Sequence, residues 1–208
     1  MLNCRCLCLL AAVPLWGGAR QVPSQVALYT QFEHAPSAAV LESMQNEVET
    51  IMAPMGAEFE WRALDNVNGN EVSAQLAVVK FQGRCDPSGP GIRMARGRAL
   101  GWTHVSDGAI LPFSDIDCDG IREFTQFGLQ AIDGKERAEA YGRALGRVLA
   151  HELYHIFANT PHHGSNGVGK AVYSVQDLLS KEFHFEERES EALRSNRTRI
   201  IDTTDATH

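Results

Sequence analysis

Apolar residues recur at helical spacing in three stretches of the chain and alternate with polar ones in several shorter ones. Val40, Leu41, Met44, Val48, Ile51 and Met52 keep a three-to-four-residue period behind Pro36-Ser37, which predicts a helix closing near Pro54 and Gly56. Tyr141, Leu145, Leu149, Leu153 and Ile156 predict a longer helix over residues 135–158. Leu178, Leu179 and Phe183, with a charged opposite face, predict a helix over residues 174–194, opened by a Ser174/Asp177 pair resembling a capping box. Strands are expected at residues 25–30, 58–64, 72–81, 100–105 and 109–113, the last two parted by Ser106-Asp107-Gly108. Residues 83–91, rich in Gly and Pro, read as a loop. Gly142 and Gly146 each cost about 1 kcal/mol relative to Ala in a helix, and their expected use is close approach of the sheet. This order of elements predicts an α+β domain, a small twisted mixed sheet backed by helices.

At 208 residues the chain is long enough for one domain with a buried core. Residues 1–20 stand apart. An apolar run over residues 7–16 follows Arg5, and Gly17-Gly18-Ala19 offers a cleavage site, so the segment reads as a secretory signal peptide, with a buried N-terminal strand as the alternative. The domain then covers residues 21–195 and a polar tail residues 196–208. Secretion or export to a periplasm is expected, with no membrane span, because the apolar run is too short to anchor. A net charge of −7 argues against nucleic acid as a partner. Loss of residues 1–20 would remove Cys4, Cys6 and Cys8, leaving Cys85 and Cys118. An even pair in an exported chain points to one disulfide, the alternative being two separate buried thiols.

The densest chemistry lies at His151-Glu152-Leu153-Tyr154-His155. Residues i and i+4 share a helix face, so His151 and His155 present both imidazoles to one point, with Glu152 one step round. A catalytic zinc takes three protein ligands and keeps one position for water. Asn159 suits a left-handed helix stop and Pro161 forbids simple continuation, so the chain turns and His162 or His163 can return toward the pair. A solvated helix with two incidental histidines is the plain alternative. The apolar flanks Val148-Leu149-Ala150 and Ile156-Phe157-Ala158 argue against it, since buried ionisable groups are costly unless paired or metal-bound. A second motif, Asp115-Ile116-Asp117-Cys118-Asp119-Gly120, copies the start of a calcium loop. Gln126 stands where the bidentate carboxylate belongs, so an acidic surface loop is the favoured reading there.

The motif and the histidine beyond it resemble the metzincin clan of zinc peptidases, and more closely bacterial metzincin-like proteins reading H-E-x-G-H-L-L-L-G-x-x-x-H-S-x-x-G-I-M-R. On that pattern the third histidine is His163, with His162 as runner-up, Gly167-Val168 match Gly-Ile, and Gly169 takes the methionine position. Ala158 stands where the clan has Gly, and no Met follows Met94, so the methionine turn is absent. A gluzincin-like reading would instead take Glu182 or Glu186 as third ligand. The resemblance covers the long helix and its turn. It implies a zincin-like fold and one catalytic zinc ion held by His151, His155 and His163. Glu152 would be the general base, Tyr173 a candidate oxyanion support, and residues 109–113 an edge pairing with an extended peptide or protein substrate. A monomeric metallopeptidase is expected. A zinc-binding protein without peptidase activity, and a domain whose histidines only pack, are the alternatives.

Overall fold

A computed structural model describes residues 24–88 and 98–205. The expected signal peptide, with Cys4, Cys6 and Cys8, lies outside the described residues. Five strands form one sheet in the order β2-β1-β3-β5-β4. They are β1 (Ser24–His34), β2 (Ala57–Ala63), β3 (Gln75–Arg84), β4 (Gly101–Ser106) and β5 (Ala109–Asp117). β2, β1, β3 and β5 run parallel, while β4 runs antiparallel to β5 and forms one edge, with β2 at the other. Asp107 and Gly108 turn the β4–β5 hairpin, both with positive φ, as a tight two-residue connection demands. The fold is thus the mixed sheet with helical backing expected of a zincin-like α+β domain.

The helices are α1 (Ala38–Met52), α2 (Cys118–Gln130), α3 (Gly134–Phe157), α4 (Val175–Leu179) and α5 (Glu187–Asp205). α1 bridges the parallel pair β1 and β2, and its stripe Val40, Met44, Val48, Ile51 and Met52 is buried. The stripe of α3 faces the same core, together with Val26, Leu28, Val79, Phe81 and Ile116 from the sheet. Gly142 and Gly146 do permit a close approach, but of α1 rather than the sheet. A Cβ at Gly142 would stand 2.5 Å from the Val40 carbonyl oxygen, and one at Gly146 would stand 2.8 Å from that of Met44. The two helices touch backbone to backbone, and this contact sets the depth of the motif helix.

Three other expectations change. α2 occupies residues read as an acidic loop. Asp117 caps it, accepting from the Gly120 N–H at 2.9 Å. Asp115 pairs with His104 at 2.5 Å and Asp119 with Arg122 at 2.5 Å. The three carboxylates thus turn to three separate partners instead of converging on calcium, and Asp115 and Asp117 are buried. Second, the helix expected over residues 174–194 is broken. The Ser174/Asp177 capping box is present, but Arg147 Nη1 donates to the Asp177 carbonyl at 2.6 Å and to Ser180 Oγ at 3.0 Å. That carbonyl is the acceptor a continuing helix would need, so α4 ends and α5 starts afresh at Glu187. Third, β5 is an inner strand of the sheet: Ala109 and Ile110 pair with β4 and Phe113 pairs with β3, so the outer strand beside the cleft is β4.

Cys85 and Cys118 form a disulfide, with Cα atoms 4.8 Å apart, fastening the end of β3 to the start of α2. Tyr141 of α3 donates its hydroxyl to the Cys118 carbonyl at 2.7 Å, tying the same corner to the motif helix. No helix among the described residues is long and apolar enough to cross a membrane.

Candidate metal centre

His151 and His155 project from consecutive turns of α3, and both are buried. α3 stops after Phe157, and Asn159 takes a left-handed φ of 48°. The reversal brings His163 back over the helix, where its ring stacks on His151 with centroids 5.2 Å apart and meets His155 edge-on at 4.8 Å. One nitrogen from each of the three imidazoles lies within 4.8 Å of the others. His162 does not belong to this cluster; it is exposed, and its backbone N–H donates to Thr160 Oγ1 at 3.2 Å. Glu182 and Glu186 are also exposed, and Glu186 accepts from Asn166 Nδ2 at 3.1 Å. Neither belongs to the cluster.

Two backbone carbonyls fix the helix histidines. Val168 O lies 2.8 Å from His151 Nδ1 and Thr160 O lies 2.7 Å from His155 Nδ1. A carbonyl only accepts, so each Nδ1 must carry the proton and each Nε2 must present its lone pair. Those two Nε2 atoms face one another at 3.1 Å. Two lone pairs held that close repel unless a proton or a cation lies between them. Tetrahedral zinc, with Zn–N bonds of about 2.0–2.1 Å, separates its ligand nitrogens by roughly 3.3–3.4 Å. The donor set therefore fits zinc. Burial lowers the His151 pKa to about 4 and lowers that of His155 as well, which keeps both rings neutral, the form that ligates.

Glu152 points from α3 toward β4. Thr103 Oγ1 donates to Glu152 Oε2 at 2.7 Å. Burial pushes the carboxyl up to about 7, against the opposing pull of the Thr103 hydroxyl and backbone N–H. Tyr173 packs edge-on against His151 at 5.6 Å, and its hydroxyl donates to the Val168 carbonyl that also holds His151. Burial raises the Tyr173 phenol well above its ordinary pKa, so it remains a donor. The group opens on a cleft of about 630 Å³ whose far wall is β4 with the preceding residues 98–100, completed by Ile110, Phe124 and Val172. Residues 109–113 contribute only Ile110 to it.

Sequence reasoning missed four contributors. Thr103 carries no signal in the chain, being one polar residue in a strand. The carbonyls of Val168 and Thr160 are backbone groups and have none either. Arg147 did carry one: a lone arginine in the apolar flank of the motif. It is fully buried and paired with Glu47 at 2.6 Å.

A parallel sheet with one antiparallel edge strand, and a motif helix beneath that edge, defines a zincin-like fold. The crystal structure of archaemetzincin from Methanopyrus kandleri at 1.5 Å resolution is similar, with a TM-score of 0.51 and 15% sequence identity over 86% of this chain and 98% of that one. At that identity the likeness establishes the fold. No family model matches the chain, and no curated protein does.

Proposed function

We propose that the protein is an exported zinc-dependent peptide hydrolase, with His151, His155 and His163 as the metal ligands and Glu152 as general base. The observation that carries this reading is the convergence of three imidazole nitrogens within 4.8 Å, beside a buried carboxylate in an open cleft. Zinc bound there would acidify a water and polarise a carbonyl. Glu152 takes a proton from the attacking water and passes it to the departing amine. Its carboxyl, at about 7, sits where it can do both near neutral pH. The free edge of β4 offers main-chain donors and acceptors to an extended peptide laid along the cleft, in place of residues 109–113. Tyr173 braces the Val168 carbonyl from beneath, and oxyanion support would require its hydroxyl to leave that carbonyl. The disulfide and the apolar N-terminal run support export, and a single copy of the chain supplies all the named groups.

The test is metal content together with cleavage of an unfolded protein, with and without chelator. Stoichiometric zinc and chelator-sensitive cleavage are expected. Glu152→Gln should keep the metal and lose activity by about a hundredfold to ten-thousandfold. Retained turnover in that variant would remove the general-base role. The absence of a methionine after Met94 favours a second reading, a zinc protein that does not hydrolyse peptides. Full zinc loading without cleavage would select it.

A further inference from the structure

We propose that Thr103, backed by Ser114, is a positioning residue that fastens one oxygen of Glu152 and leaves the other to carry the proton. This role rests on the hydrolase reading above. Thr103 and Ser114 are paired across β4 and β5. Their hydroxyl oxygens lie 2.9 Å apart, and Thr103 Oγ1 lies 2.7 Å from Glu152 Oε2. Ser114 is buried. The result is a file of two hydroxyls ending on the carboxylate.

A hydroxyl has one hydrogen and two lone pairs, so Thr103 can accept from Ser114 while it donates to Glu152. With Glu152 ionised, Ser114 donates to Thr103 and Thr103 donates to Oε2. With Glu152 protonated on Oε1, Oε2 is the carbonyl oxygen of the acid and still accepts from Thr103. The Glu152 backbone carbonyl oxygen, 3.2 Å from the same hydroxyl, is a second acceptor within its reach. The contact survives the gain and the loss of a proton.

The neighbouring position on β4 completes the argument. A Cβ at Gly101 would stand 2.9 Å from Glu152 Oε1 and 3.0 Å from Val148 Cγ1. β4 thus grips Oε2 with Thr103 and clears space for Oε1 with Gly101, two residues apart on one face of the strand. A free glutamate side chain samples several rotamers, and held this way it presents one oxygen in a fixed direction.

The test compares Thr103→Val and Thr103→Ser in the zinc-loaded protein on a peptide substrate. Thr103→Val keeps the shape and removes the hydroxyl. It should lower kcat by about tenfold or more, with KM and zinc affinity changed by less than about twofold. Thr103→Ser should restore kcat to within about threefold of wild type. A readout without turnover comes from melting of the metal-free protein at pH 8. Thr103→Val should shift Tm in the wild-type background and not in a Glu152→Ala background, because the two side chains act as a unit. Equal shifts in both backgrounds, or a Thr103→Val protein with wild-type kcat, would overturn this assignment alone. Zinc-loaded wild type that cleaves nothing would overturn the proposed function, and this role with it.

Discussion

The two sources of the histidine cluster differ in kind. α3 supplies His151 and His155 from a buried helix clamped against α1 through Gly142 and Gly146. Each ring is locked by a backbone carbonyl. The turn after α3 supplies His163, which is exposed and held by stacking on His151 and by an edge-on contact with His155. The helix fixes two donors before any ion arrives, whereas the turn brings a third that the ion itself would help to order. Most of the preorganisation therefore lies in the helix.

Loss of a helix histidine should be the severest change. His155→Ala leaves one locked donor and should weaken zinc binding by at least about a thousandfold, read by metal competition. Next comes the helix clamp. Gly142→Val drives a side chain into the Val40 carbonyl, and denaturant unfolding should show a loss of about 3 kcal/mol or more. An unchanged midpoint would mean that the α1 contact does not hold the helix.

Glu152 follows, in the metal-free protein. Its carboxyl rises from the ordinary 4.5 to about 7 because it is buried. The fold carries no penalty from this group below pH 4.5 and loses stability as pH climbs through 7, since the unfolded chain ionises first. Glu152→Gln removes that loss. It should be more stable than wild type by about 2–3 kcal/mol at pH 8, with the gap closing by pH 4. The smallest effects divide the turn: His163→Ala should lower zinc affinity by about tenfold to a hundredfold, while His162→Ala should change it by less than about twofold. Equal losses would erase the distinction drawn between helix and turn.

What the sequence disclosed follows the same division. Periodicity located α1, α3 and the strands, because a buried stripe must repeat at the pitch of its element. The i, i+4 pair followed from helical geometry alone. His163 was chosen over His162 by the resemblance and not by spacing, since a turn has no period to count. α2 was hidden because its opening residues Asp117 and Asp119 serve as a cap and an ion pair, and acidic clusters look the same when they bind cations. The break between α4 and α5 depends on Arg147, thirty residues from the carbonyl it occupies, a distance no local pattern registers. Thr103 illustrates the same limit: its importance lies in what faces it across the cleft.

The Cys85–Cys118 bond closes a covalent ring of chain with a sequence separation of 33. That ring contains β4, β5, Gly101, Thr103 and Ser114, and it contains none of the three clustered histidines. The cross-link thus loops the strands on one side of the cleft, while the histidine-bearing helix and turn lie outside the loop. Thiol chemistry at that corner reaches the strand facing Glu152 through the chain itself, and the motif helix only through the hydrogen bond from Tyr141 to Cys118.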